Sequence, residues 1–172
     1  ETFRKQVLRK FNMGLFGKIF GGDNNNYKGE LRNDVPHGKG TKKFSNGDIY
    51  EGEWKNGFME GKGIITYANG SKYQGEVKDN NKHGKGTLMP ANGGEYIGSF
   101  KNGLFDGKGE LIFPDGDKYE GEFKDNMFHG YGITYYADGS INQEGIFKEY
   151  EFLYAQKKSK VDSFKEFCEE LG

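Results

Sequence analysis

The stretch Tyr50–Tyr73, YEGEWKNGFMEGKGIITYANGSKY, decides how this chain is read. It opens on Tyr-Glu-Gly-Glu-Trp, passes a polar turn at Asn56-Gly57, and runs through Gly61-Lys62-Gly63 into an apolar run. It closes on Asn69-Gly70. The same pattern recurs on both sides at a constant spacing of 23 residues, with tyrosines at Tyr27, Tyr50, Tyr73, Tyr96 and Tyr119. Each tyrosine is followed two residues later by glycine, and paired glycines stand at 38/40, 61/63, 84/86, 107/109 and 130/132. A fixed period held through five copies marks a repeat architecture.

Within a copy the letters alternate. Tyr, Gly and a large apolar residue (Leu31, Trp54, Val77, Phe100, Phe123) share one face of a strand, and Glu30, Glu53, Glu76 and Glu122 fall on the other. A second strand begins at the paired glycines. The dipeptides Asn46-Gly47, Asn69-Gly70, Asn92-Gly93, Asp115-Gly116 and Asp138-Gly139 end each copy, and the sequence predicts type I′ hairpin turns there. The repeated glycines have two readings: a tyrosine ring lying over bare backbone, which is favoured, or a bulge at each pair. A sixth copy starts but puts Asn142 in the tyrosine slot and its glycine one residue late, at Gly145, which predicts one irregular closing strand.

Composition agrees with a thin sheet. Hydrophobic residues make up only 33% of 172 residues while glycines number 29, so the 16% of aromatic residues must carry much of the burial. Lys+Arg number 25 against 26 Asp+Glu, giving a net charge of −1, which argues against a nucleic-acid partner. The single cysteine, Cys168, rules out an intrachain disulfide framework and fits a reducing compartment. No run approaches the ~20 apolar residues that span a bilayer. The expected location is cytoplasmic, either free or at the inner face of a membrane.

The ends differ from the array. Residues 1–20 place Phe3, Val7, Phe11, Leu15 and Ile19 four apart, an amphipathic helix made basic by Arg4, Lys5, Arg9, Lys10 and Lys18. Met13 reads as an alternative start, with residues 1–12 then an upstream extension. Residues 21–26 form a linker, residues 27–150 the array of five full repeats and one partial, and residues 151–172 a C-terminal capping helix. Within the last, Val161, Phe164, Phe167, Cys168 and Leu171 give a helical period. The fold class is therefore all-β: an elongated, twisted antiparallel meander of stacked β-hairpin repeats, with short helical segments at both ends.

Tyr-Glu-Gly-Glu-Trp-Lys-Asn-Gly…Gly-Lys-Gly resembles the MORN (membrane occupation and recognition nexus) repeat, and residues 27–141 match it in full. The resemblance implies a hairpin array used for protein contacts and, in some members, for membrane attachment or dimerisation. Ser99 in place of glutamate, Pro90 in a ring slot and Tyr131 in place of lysine depart from the pattern.

The chemistry-bearing residues point away from catalysis. His37, His83 and His129 lie two repeats apart, about 19 Å across four strands, too far to share a metal held at about 2.1 Å. The glutamates and lysines repeat with the period, as solubilising ladders do. The Gly-x-Gly pairs lack the strand–helix setting of a phosphate loop. The sequence thus predicts no catalytic residue, no metal site and no cofactor.

What remains is an aromatic stripe. Tyr50, Trp54, Tyr67, Tyr73, Tyr96, Phe100, Phe113, Tyr119 and Phe123 are expected to line a groove that receives an amphipathic helix or peptide of a protein partner. Phe3, Val7, Phe11 and Leu15 would dock there, from this chain or a neighbouring one. A rival reading sets Arg4, Lys5, Arg9 and Lys10 on an anionic lipid surface. A third makes the array a structural spacer or a homodimerisation module.

Overall fold

The computed structural model describes residues 26–156. The predicted helical segments at both ends, with the docking residues Phe3, Val7, Phe11 and Leu15 and the lipid contacts Arg4, Lys5, Arg9 and Lys10, lie outside them. Twelve strands follow in chain order: β1 (Tyr27–Arg32), β2 (Val35–Lys43), β3 (Ile49–Lys55), β4 (Phe58–Thr66), β5 (Lys72–Lys78) and β6 (Asn81–Met89). The array continues with β7 (Glu95–Lys101), β8 (Leu104–Ile112), β9 (Lys118–Lys124), β10 (Met127–Tyr135), β11 (Ile141–Lys148) and β12 (Glu151–Ala155). Each pairs antiparallel with the next in one open sheet, the meander that the period predicted.

Two turn types alternate, and they sit the other way round from expectation. The short turns within a copy have positive φ at both central residues: Asn56 and Gly57 at 51° and 83°, Asp79 and Asn80 at 48° and 65°. These are the type I′ connections. At the Asn46-Gly47 end of a copy only the glycine is left-handed (φ 90°), its N–H donating to the Phe44 carbonyl at 3.0 Å. That is a type I turn closed by a left-handed glycine, a longer loop than I′.

Side chains in the turns tie each copy to the one before. The Asn80 amide oxygen accepts the Met59 N–H at 2.8 Å, and Asn126 accepts the Phe105 N–H at 2.7 Å. At the opposite edge Asp48 accepts the Ala68 N–H at 2.9 Å. Satisfying these amides from a neighbouring copy makes every repeat depend on the next.

The sixth copy holds two strands rather than one. Residues 151–155, assigned from sequence to the capping helix, instead form β12 and pair with β11. The late glycine is absorbed by a bulge: Thr134 faces Gln143 and Tyr135 faces Ile141, which leaves Asn142 unpaired as the extra residue.

The core lies on a single face. Tyr50, Ile65, Tyr73, Leu88, Tyr96, Leu111 and Tyr119 form one row across the strands; Trp54, Met59, Val77, Phe100, Phe105, Phe123 and Phe128 form another. Between them runs an unbroken ladder of paired glycines from Gly29 to Gly145. Tyr96 and Phe100 are four residues apart, about 13 Å along an extended strand, yet their ring centroids are 5.1 Å apart. The rings close over the glycines from both sides.

Candidate functional site

The nine rings expected to line an open groove are instead this protein's own core. Tyr50, Tyr73, Tyr96 and Tyr119 are 0% exposed, Trp54, Phe100, Phe113 and Phe123 between 3% and 5%, and Tyr67 8%. Tyr96 stacks on Phe105 and Tyr119 on Phe128, both at 3.7 Å, and Trp54 meets Tyr27 and Tyr50 edge-on. The sequence reading assumed that one sheet leaves its ring face bare. Because the glycine row has no side chains, the flanking rows meet across it and cover one another.

The phenols confirm the point chemically. Those of Tyr50, Tyr73, Tyr96 and Tyr119 reach past the glycines to donate to a backbone carbonyl three residues on, Tyr50 to Glu53 at 2.9 Å and Tyr73 to Glu76 at 2.6 Å. Burial pushes the pKa of Tyr50, Tyr73, Tyr96 and Tyr119 well above the usual phenol value, so they stay neutral donors.

Both accounts of the glycines hold, one for each member of a pair. A side chain on Gly63 would enter the Tyr50 ring, so the second glycine is the ring's seat. The first, Gly61, has φ of 73° and marks a register shift between β3 and β4. The glutamates serve that bulge, a role their regular spacing did not reveal: Glu30 accepts the Lys39 N–H at 3.0 Å and Glu76 the Lys85 N–H at 3.1 Å.

The open surface is the opposite face, where a shallow groove is floored by the glycine backbone. One stretch, of about 740 Å³, runs from Lys28 to Lys85; the next, of about 1010 Å³, runs from Gln74 to Ile133. One wall pairs Lys39 with Glu53, Lys62 with Glu76 and Lys108 with Glu122 across neighbouring strands. The other wall is a single row that includes Thr41, Ile64, Gln74, Thr87 and Ile97 before Glu110 and Glu120. Ile64 is 39% exposed, Met89 37% and Ile97 46%. Glu110 and Glu120 stand directly opposite each other and share the Lys118 ammonium at 3.0 and 3.4 Å. Glu110 is the main cause of that lysine's raised pKa.

Charge varies along the groove. The first stretch sets four lysines (Lys28, Lys39, Lys62, Lys85) against Glu51, Glu53 and Glu76. The second sets Lys85 and Lys108 against Glu95, Glu110, Glu120 and Glu122. The histidines fall on β2, β6 and β10, four strands apart.

One core position was not singled out from sequence. Lys82 occupies the slot held by Met59, Phe105 and Phe128 in other copies and is 7% exposed, its ammonium 5.7 Å from the Phe100 ring centroid. Burial lowers its pKa to about 8. The 23-residue period that aligns these four residues was the signal for it.

No curated protein sequence matches the chain. Among solved structures, the SAS-4 (dCPAP) TCP domain in complex with a proline-rich motif of Ana2 (dSTIL), from Drosophila melanogaster, is similar at a TM-score of 0.39 and 22% identity. That similarity covers 59% of this chain and 56% of the other, just over half of its length. The family model of the MORN repeat matches five times in succession, at residues 27–49, 50–72, 73–95, 96–118 and 119–141. With about two thirds of its length so matched, this chain belongs to the MORN-repeat family.

Proposed function

We propose that the chain is a non-catalytic scaffold that holds a protein segment in the glycine-floored groove. MORN-repeat proteins are in general non-enzymatic scaffolds. The observation that carries the reading is the division of labour between the two faces. The rings stabilise the array, while Ile64, Met89 and Ile97 stand exposed along one side of the groove, across the glycine floor from the lysine–glutamate wall, where no strand of the sheet covers them. Exposed apolar side chains beside charged ones are the composition of a protein-contact surface. A helix or extended segment laid along the floor would touch several copies at once.

Acidic-lipid binding rests on Arg4, Lys5, Arg9 and Lys10 alone and draws little from the array, where 16 basic residues face 20 acidic ones over residues 26–156. The test is affinity capture followed by direct binding of the captured protein, comparing the full chain with an Ile64→Asp/Ile97→Asp variant. Both side chains are exposed, so the melting temperature should hold while the partner's affinity falls about tenfold or more. A partner bound equally well by both chains would overturn the groove reading.

A further inference from the structure

The second stretch of the groove matches one segment of this same chain in length, charge and apolarity. We propose that residues 3–19 occupy it in cis, as a helix with its C-terminal end at β5 and its N-terminal end at β10, and so withhold it from a partner. This rests on reading the groove as the contact face and names what covers it.

Length comes first. The linker 21–26 has six residues, which reach about 20 Å when extended, four strand spacings of about 4.8 Å from β1 to β5. A 17-residue helix is about 25 Å long, five further spacings, and so ends over β10. The second stretch of the groove begins at Gln74 on β5 and ends at Ile133 on β10. Chain length therefore lets the helix reach the second stretch, and charge decides between the two.

Charge selects the same end. Residues 1–25 carry five basic side chains against two acidic ones, while the array has four more acidic residues than basic. The acidic excess of the groove lies in its second stretch. Residues 157–172, the other segment outside the described sheet, hold four basic and four acidic residues and have no such preference. Phe3, Val7, Phe11 and Leu15 share one helical face, and Met89, Ile97 and Ile133 supply the apolar patches beneath it. Arg4, Lys5, Arg9 and Lys10 then lie within reach of Glu95 and Glu122.

Photo-cross-linking in the full chain tests this, with p-benzoylphenylalanine placed at Ile97 or at Ile133. From β7 the probe should capture peptides around residues 9–15, and from β10 peptides around residues 1–7. The products should be intramolecular and independent of protein concentration. Phe11→Asp/Leu15→Asp should cut the yield about tenfold, because a carboxylate is costly against apolar side chains, and should lower the melting temperature by a few degrees as the docked helix is lost. Cross-links to residues 157–172, to a second copy, in the reverse polarity, or none to residues 1–19 would overturn the proposal. If the cross-links fail but the Ile64→Asp/Ile97→Asp variant still loses its partner, only the occupant is wrong; if that loss is also missing, the groove reading falls with it.

Discussion

The third and fifth copies share a backbone and differ at three core slots, Val77 against Phe123, Lys82 against Phe128 and Leu88 against Thr134, of which the second exchanges a ring for a charge. In the fifth, Phe128 stacks on Tyr119 with the planes 7° apart, and Phe123 and Phe147 meet the same tyrosine edge-on. In the third, Lys82 stands where Phe128 does, and the contact between Tyr73 and Phe100 carries the ring row past it. Strand pairing, the seating of tyrosine over glycine and the short-turn geometry are the same in both. The fold therefore depends on the tyrosine–glycine framework more than on the stacked ring. A lysine stem can fill a ring's place while its ammonium stays near an aromatic face.

The largest expected effect removes what the two copies share. A side chain at Gly121 would lie 2.6 Å from the Gly132 Cα and 2.7 Å from the Tyr131 carbonyl oxygen, and Gly75 is as tightly enclosed by Gly86 and Lys85. The obstacle is backbone, which cannot turn aside. Gly121→Val and Gly75→Val should each cost about 5 kcal/mol or prevent folding, read from denaturant midpoints. A mild effect in either copy would show that the glycine row is not the shared frame.

Next comes the slot itself. Phe128→Ala should cost about 4 kcal/mol, since it removes a ring that touches Tyr119, Phe123, Phe147 and Tyr150. Lys82→Met should act in the opposite sense. A folded pKa of about 8 against the ordinary 10.5 means that charged Lys82 destabilises the fold at neutral pH, by about 3 kcal/mol. The folded value lies below the unfolded one, so this penalty is complete below pH 8 and is relieved as pH rises towards 10.5. The Lys82→Met chain should be about 2 kcal/mol more stable at pH 7, and its advantage should shrink across that window. The buried tyrosines titrate alike in both chains and cancel in the difference. A pH-independent difference would mean that Lys82 is not held as a buried cation.

The period, the strands and the assignment of residues to faces were legible because each depends on identities that recur every 23 residues. Which face is open was not. That depends on how far a tyrosine ring leans across two glycines, a distance that alternation alone does not encode. The reading that gave Tyr50 and Phe100 to a partner therefore chose the wrong side of the right sheet. Asn-Gly was likewise read correctly as a turn and assigned the wrong type: Asn56-Gly57 and Asn46-Gly47 share a dipeptide, and only the loop length between strands separates them. The glutamates were taken for solubilising charge because a carboxylate on a bulge N–H and one in water recur with the same regularity. Ser99 stands in the glutamate's position in the fourth copy, and Gly107 beside it still turns at φ 97°.

The smallest expected effect on stability bears most directly on function. Ile97 sits on the groove wall of β7, on the opposite face from Tyr96 and Phe100, and is 46% exposed. Its cross-strand neighbours are Thr87 and Glu110, neither of which needs it for a hydrogen bond. Ile97→Ser should leave the unfolding midpoint within about 0.5 kcal/mol of the parent chain, whereas Phe100→Ala, three residues along the same strand, should cost about 4 kcal/mol. One strand would then carry two independent roles, with the ring side setting whether the sheet exists and the isoleucine side setting what rests on it. A loss at Ile97 comparable to that at Phe100 would mean that the groove face is packed as well, and that this sheet has no free side.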